Sequence, residues 1–311
     1  MRQVNWTGVY PAVTTKFHKN GDLDVPSFLK NIDFQVKAGI DGIVIGGSLG
    51  ESSTISHDER LILANSSLEA FGDKIDIILN IAEGSTRNAI DLVGKAEKIG
   101  VHGLMVLPPM MYKPTDQEVV DFFKDIASST QLPIMLYNNP VDYKIEISID
   151  SLEKLIHLDN IQAIKESTRD ISNVTRIKNA FGSRIKILCG VDTLAMEELL
   201  MGADGWVAGL VDAFPAETVA IYRLIKAGRI NEALAIYRWF LPILELDIDP
   251  QLVQNIKLAE AMVGIGTEHV RAPRHILVGA ERRHVIEILE NGIRTRPSLP
   301  NYLDIDIASL V

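Results

Sequence analysis

The sequence has 311 residues, of which 47% are hydrophobic, enough apolar material for a large buried core. A chain of this length often forms about two domains, although single α/β barrels of roughly 250 residues are common. The formal net charge of −10, with no clustered basic residues, disfavours nucleic acid and anionic membranes as partners.

Eight short apolar runs rich in β-branched residues recur along the chain as far as about residue 210. Near-continuous apolar runs are typical of strands that are buried on both faces, as in parallel sheets. The predicted strands cover residues 9–15, 42–45, 75–81, 103–107, 134–137, 161–165, 185–189 and 205–208.

Helical periodicity and helix end signals fill the segments between these runs. One helix is predicted to end at Gly39, and another begins at residues 85–88 and ends at Gly100. Thr115 and Glu118 resemble a capping box at the start of the next helix. Later helices are predicted to begin near residues 151, 171 and 193.

Eight strands alternating with helices predict an all-parallel sheet, and eight such units close naturally into a (β/α)8 TIM barrel. A doubly wound sheet is the alternative, because periodicity does not distinguish a closed sheet from an open one. After residue 215 the strand signal stops, and residues from about 216 to 296 look purely helical. We therefore predict a barrel domain over residues 1–215 and a C-terminal helical extension over 216–311, with an extended tail from residue 296.

A lysine closes the sixth predicted strand. Lys165 follows an apolar run, where burying an unpaired ammonium group costs several kcal/mol. Desolvation at the mouth of a barrel favours the neutral amine, which is the nucleophile that attacks a ketone. A lysine that reaches solvent or pairs with Glu166 is the alternative, and Lys165 alone does not decide between the two.

Two other strand ends carry polar groups. Tyr137 ends the fifth strand, where its hydroxyl would transfer protons, although a structural buried tyrosine is the commoner explanation for one such residue. After the second strand, residues 46–49 form a glycine-rich loop whose N–H groups and Ser48 hydroxyl suit a carboxylate. A plain tight turn is the alternative. The loop matches neither the G-x-G-x-x-G pattern nor the Walker pattern of nucleotide-binding loops.

Other classes of site fit the sequence less well. The seven histidines show no metal-ligand spacing, so no metal is predicted. A flavin or nucleotide-sugar barrel requires a phosphate site after the last two strands, where Asp192 places an acid. One cysteine, Cys189, excludes an intramolecular disulfide, and neither a signal peptide nor an apolar run of about 18 residues is visible. We expect a cytoplasmic protein.

Four segments together resemble the dihydrodipicolinate synthase / N-acetylneuraminate lyase family across nearly the whole chain. The resemblance implies that Lys165 forms a Schiff base with a small 2-oxo acid and that Tyr137 shuttles protons. It also implies a homotetramer built as a dimer of dimers, without metal or organic cofactor. The segments are residues 46–51, 137–140, 164–167 and 190–192, and the predicted substrate contacts are Gly47, Ser48, Leu49, Ser167, Gly190, Asp192 and Val207.

Three departures from the family bear on the substrate. Dihydrodipicolinate synthases resemble one another in having a Thr-Thr pair where this chain has Ser48-Leu49. They also have a tyrosine, contributed by the neighbouring subunit, at the position of Met111 in this chain, and Tyr112 is adjacent to it. Their arginine for the carboxylate of the aldehyde substrate falls near Asp142. Leu49 and Met111 carry no hydroxyl. Met111 and Tyr112 remain candidates for a proton relay or a subunit interface.

Residues 205–215, 252–260 and 270–274 resemble catabolic branches of the family. We therefore predict a Schiff-base lyase of the type of 1-pyrroline-4-hydroxy-2-carboxylate deaminase, or a 2-keto-3-deoxy sugar acid dehydratase or aldolase. The alternatives are a 4-hydroxy-tetrahydrodipicolinate (dihydrodipicolinate) synthase, which condenses pyruvate with an aldehyde, and a metabolite-binding barrel without turnover.

Overall fold

Eight parallel strands form the centre of the fold in a computed structural model that describes residues 3–305 and 307. They are β1 (Gly8–Pro11), β2 (Gly42–Ile45), β3 (Asp76–Ile81), β4 (Gly103–Val106), β5 (Ile134–Asn138), β6 (Ile161–Glu166), β7 (Lys186–Cys189) and β8 (Gly205–Ala208). Each strand from β2 to β7 pairs with the next, and β8 pairs with β1. A parallel bridge between Ala12 and Val44 connects the β1 and β2 sides. The prediction of a (β/α)8 TIM barrel is confirmed.

The strands are buried on both faces, as their apolar runs predicted. Every strand residue is buried except Gln162 and Lys186, which are partly exposed. Because both faces of the parallel sheet are covered, polar side chains that line a cavity are expected at the carboxyl ends of the strands.

Helices surround the barrel between successive strands, and their ends follow local sequence signals. Ser56 with Glu59 and Thr115 with Glu118 form capping boxes, as predicted for the second pair. Gly100 ends its helix with a φ of 84°, a left-handed conformation that glycine adopts without a Cβ clash. The helices are α1 (Val25–Lys37), α2 (His57–Phe71), α3 (Thr86–Ile99), α4 (Asp116–Ser128), α5 (Pro140–Tyr143), α6 (Ile149–Glu153), α7 (Ser172–Phe181), α8 (Ala195–Leu200) and α9 (Pro215–Lys226).

Three more helices follow: α10 (Ile230–Leu244), α11 (Leu252–Met262) and α12 (Gly279–Arg294). The prediction that residues from about 216 to 296 are purely helical is wrong for residues 263–278, which form neither helix nor strand. Hydrogen bonds to other parts of the chain hold this segment instead: the His269 carbonyl accepts from Lys257 Nζ at 2.7 Å, and Arg271 Nη1 donates to Thr54 O at 2.8 Å.

The helix that follows the last strand packs on the barrel as the earlier helices do. Tyr222 of α9 accepts a hydrogen bond from the Gly8 backbone N–H and donates one to Asp204 O, both at 2.9 Å. The division of the chain into domains at residue 215 stays a prediction. The predicted domains also contain residues 1–2, 306 and 308–311, which lie outside the described residues. In the described part of the chain, no helix is long and apolar enough to cross a membrane.

Candidate active site

A cavity of about 80 Å³ opens at the carboxyl ends of the barrel strands. Its walls combine residues from the ends of β5, β6 and β8 and the loops after β2 and β7 with residues of the C-terminal extension. Lys165, Tyr137, Gly47, Ser48, Leu49, Ser167, Gly190 and Val207, all predicted site residues, line it together.

Lys165 lies inside β6, in register with Tyr137 of β5 and Leu188 of β7. Only 7% of the lysine is exposed, and its Nζ lies 4.2 Å from the centroid of the Tyr137 ring. Desolvation by burial lowers the pKa of Lys165, although the charge of Asp247 opposes that change. The environment therefore favours the neutral amine that nucleophilic attack requires.

Tyr137 is held as a protonated phenol beside this amine. Burial raises the pKa of Tyr137 to about 12, and its hydroxyl oxygen accepts a hydrogen bond from Asn139 Nδ2 at 3.1 Å. A phenol with one acceptor position occupied keeps its own proton available to a group in the cavity. This arrangement suits a proton donor for a substrate oxygen.

A second tyrosine, which sequence analysis did not identify, adds its hydroxyl group to the cavity wall. Tyr143 ends the short helix α5, which Asn139 caps by accepting from the Asp142 N–H at 3.1 Å. The Tyr143 ring packs edge-on against Tyr137 with centroids 5.7 Å apart. Its hydroxyl is hydrogen-bonded to the Ser48 hydroxyl. Three hydroxyl groups from one chain therefore line the same cavity as Lys165.

The loop after β2 turns tightly beneath the cavity. Gly46 has a φ of 71°, and its carbonyl accepts from Asn80 Nδ2 at 2.9 Å. The Ser52 N–H closes the turn on the Gly47 carbonyl at 3.1 Å. The loop thus presents Ser48 to the cavity from a fixed backbone, as the prediction of a carboxylate site requires.

Gly190 gives Lys165 the space that it occupies. A Cβ atom at position 190 would lie 2.6 Å from Lys165 Cε and 2.2 Å from Ser167 Oγ. Both approaches are too close for any side chain, so the lysine and the serine pack directly against the glycine backbone.

Asp192 lies behind the cavity wall, and its predicted role as a substrate contact stays a prediction. Its carboxylate is 1% exposed, is not part of the cavity wall, and accepts hydrogen bonds from Trp206 Nε1 at 2.9 Å and from the Gly209 and Leu210 N–H groups. These hydrogen bonds hold the end of β8 in place, and the charge of Asp192 opposes the fall in the pKa of Lys165.

Met111 and Tyr112 lie outside the cavity of the single chain. They are 82% and 52% exposed, and Tyr112 borders a separate depression beside Glu118. Their expected contribution at a subunit interface stays a prediction.

Three charged residues of the cavity wall were not predicted as site residues, and Asp142 was considered only as the position of the family's arginine. Asp142 accepts from Asn139 Nδ2 at 2.8 Å and lies 3.8 Å from Arg169 Nη2. Asp247 reaches the cavity from the turn after α10. Arg169 lies in the loop after β6, whereas Asp247 is far from any strand end, so only the folded chain reveals Asp247. Among the described residues, no group of three or more His, Cys, Asp or Glu side chains is placed to hold a metal ion.

Comparisons with known proteins identify one family. The model of the Dihydrodipicolinate synthetase family matches residues 5–291. A 4-hydroxy-tetrahydrodipicolinate synthase from Moorella thermoacetica is 30% identical over 279 residues, which cover 90% of this chain and 94% of that protein.

Solved structures agree with the sequence comparisons. The 4-hydroxy-tetrahydrodipicolinate synthase from Methylacidiphilum fumariolicum superimposes with a TM-score of 0.88 at 31% identity, covering 93% of this chain and 96% of that one. The dihydrodipicolinate synthase from Acinetobacter baumannii, solved with pyruvate, gives a TM-score of 0.89 at 25% identity, covering 93% and 99%.

Proposed function

The chain belongs to the dihydrodipicolinate synthetase family, a family of class I Schiff-base enzymes, and we propose that it is a lyase acting on a 2-oxo acid or cyclic imine carboxylate through Lys165. One observation carries the proposal: a buried lysine with a lowered pKa lies against a tyrosine ring in a cavity that also contains the Ser48 loop. An amine, a proton donor and a carboxylate-binding loop are the groups that imine formation requires.

The first half of the cycle forms the imine. Lys165 Nζ adds to C2 of the substrate, and one amine proton passes to the carbonyl oxygen. Tyr137 gives that oxygen a second proton, water leaves, and a protonated C=N bond remains. The positive imine then draws electrons from C3, and the deprotonated Tyr137 accepts the proton that C3 loses.

We propose that the enzyme next eliminates a group from C4, as in 1-pyrroline-4-hydroxy-2-carboxylate deaminase or a 2-keto-3-deoxy sugar acid dehydratase. Residue 142 is an aspartate that already accepts from Asn139, where a condensing synthase would need a cation for its second substrate. Leu49 is buried and apolar, so the loop has one side-chain hydroxyl where the synthases have two. Both features support elimination or cleavage over condensation.

A 4-hydroxy-tetrahydrodipicolinate synthase is the second candidate. The names of the relatives support it more directly than they support the first. Arg169 also lines the cavity, and it offers a cation for an aldehyde's carboxylate in place of the arginine missing at Asp142. The two candidates share the Lys165 imine and differ in the step that follows it.

Borohydride trapping tests the proposal. The enzyme is incubated with pyruvate, a 2-keto-3-deoxy sugar acid or the hydroxylated pyrroline carboxylate, reduced, and mapped by peptide mass, while turnover of each is followed. Turnover of pyruvate with aspartate semialdehyde is measured in parallel. We expect a reduced adduct on Lys165 and elimination from one C4-substituted compound.

Lys165→Ala should abolish the adduct, whereas Lys144→Ala, which removes an exposed lysine near the site, should retain it. An adduct on another residue would remove Lys165 from the mechanism. Condensation of pyruvate with aspartate semialdehyde, without elimination from any other compound, would establish the second candidate instead.

A further inference from the structure

Asp247 enters the cavity from outside the barrel strands. It belongs to the single turn Glu245–Asp247 that follows α10, and it lines the cavity that contains Lys165. Gly209, just after β8, makes room for it: a Cβ atom there would lie 2.4 Å from Asp247 Oδ1. The C-terminal extension therefore contributes a carboxyl group to the wall of a site whose other polar side chains come from the barrel.

The Asp247 carboxyl group has no cation paired with it. Among the described residues, no lysine or arginine nitrogen lies within ion-pair distance of its oxygens, whereas the other acid of the cavity wall, Asp142, lies 3.8 Å from Arg169. The pKa of Asp247 is raised well above its ordinary value, mainly by burial and then by the charge of Asp192, while Lys165 opposes the rise. Asp247 thus retains its proton more readily than an ordinary aspartate does.

We propose that Asp247 binds the leaving group on C4 of the substrate and gives it the proton with which it departs. The inference rests on the proposed elimination and identifies the general acid that this step requires. In the enamine formed on Lys165, the electron pair at C3 forms the C3=C4 bond, and the C4–O bond breaks. The departing oxygen takes the Asp247 proton and leaves as water, and solvent returns a proton to the carboxylate.

The same group sets the class of substrate. A protonated carboxyl donates to a hydroxyl oxygen and, once ionised, accepts from a hydroxyl or an ammonium group. Once Asp247 has given up its proton, a substrate carboxylate at that place would face a second negative charge at short range, and this repulsion disfavours such a substrate. The substrate therefore carries a hydroxyl or amino group at C4, not a carboxylate.

Asp247→Asn tests the proposal because the amide keeps the shape of the side chain and loses its acidic proton. On the hydroxylated substrate, kcat should fall by about 100-fold or more, the range for a general acid, with little change in KM. On the analogue with fluorine at C4, the wild type and the variant should react at similar rates, because fluoride leaves without a proton. Asp249→Asn, two residues away and exposed, should behave as wild type with both compounds.

Borohydride trapping of pyruvate separates this inference from the proposed function. The Asp247→Asn enzyme should still form the Lys165 adduct, which also shows that the variant is folded. Equal losses with the hydroxyl and fluorine compounds would assign Asp247 a structural role, and unchanged turnover would exclude it from the reaction. Loss of turnover in Asp142→Asn alone would move the acid to Asp142.

The pH profile gives a second readout. The groups that act on Asp247 through charge are Lys165 on β6, Asp192 after β7 and Asp142 after β5. Because the protonated form acts and its pKa is raised, kcat should decline as pH rises through that raised pKa. The decline should be absent in Asp247→Asn, and its persistence there would assign it to another group.

Discussion

Tyr143 changes what each chain needs for proton transfer. The family resemblance assigns the second tyrosine to a neighbouring subunit at Met111 or Tyr112, but in this chain the Tyr143 hydroxyl is hydrogen-bonded to Ser48 and its ring contacts Tyr137. Burial raises the pKa of Tyr143 far above its ordinary value, so it too remains a phenol. Tyr143 and Ser48 therefore place two further hydroxyl groups in the same cavity as Tyr137, within one chain.

Tyr143→Phe should lower kcat about 10- to 100-fold because the ring packing stays and the relay loses one hydroxyl. Tyr137→Phe, which removes the donor itself, should cost more. Stopped-flow measurement of imine formation with pyruvate compares the two variants with the wild type. Wild-type rates in Tyr143→Phe would show that the Ser48 contact only orders the loop.

The residues found from sequence are those that end a strand. Lys165 and Tyr137 follow apolar runs in β6 and β5, and the barrel rule places such positions at the mouth. Tyr143 lies six residues after Tyr137 on a four-residue helix, and Asp247 comes from a turn more than 80 positions after Lys165. No periodicity of the sequence places Tyr143 or Asp247 at the site, because their distance from Lys165 depends on how the loops fold back over the barrel.

At the scale of elements, α11 is attached to the barrel mouth by buried charges. Lys257 of α11 is fully buried, donates to Glu51 in the loop after β2, and lies 4.6 Å from the Phe17 ring centroid. Burial lowers the pKa of Lys257 to about 8, against the opposing effect of Glu51. Glu51 also accepts from the Arg271 N–H at 3.1 Å. The extension thereby fixes the loop that presents Ser48.

Lys257→Met should destabilise the fold by about 3–5 kcal/mol, because it leaves the Glu51 carboxylate buried without its cation. The double variant with Glu51→Gln should recover much of that loss, since no unpaired charge remains. Denaturant unfolding measures both. A single variant as stable as the wild type would show that the Arg271 N–H and the Arg274 guanidinium, 3.8 Å from Glu51, suffice to hold this carboxylate.

The elements that sequence predicts well are those with a repeating pattern. The eight strands and the capped helices α3 and α4 follow local signals that their own residues contain. Residues 263–278 look helical by composition, yet Arg271 is drawn into hydrogen bonds with Gly21 and Thr54 on the barrel. A helix there would remove these contacts, and contacts between distant segments leave no local signature.

At the scale of the whole molecule, the proposed homotetramer and the in-chain tyrosine make separable predictions. If the relay is complete in each chain, Tyr112→Phe should leave kcat unchanged while Tyr143→Phe lowers it. Specific activity should also stay constant on dilution, even where light scattering shows tetramers separating into smaller species. Activity that falls in step with dissociation, together with a loss in Tyr112→Phe, would place the second hydroxyl on the neighbouring subunit. Constant activity in the separated chains would instead confine the tetramer's role to stability, because one chain would then supply every hydroxyl group that proton transfer needs.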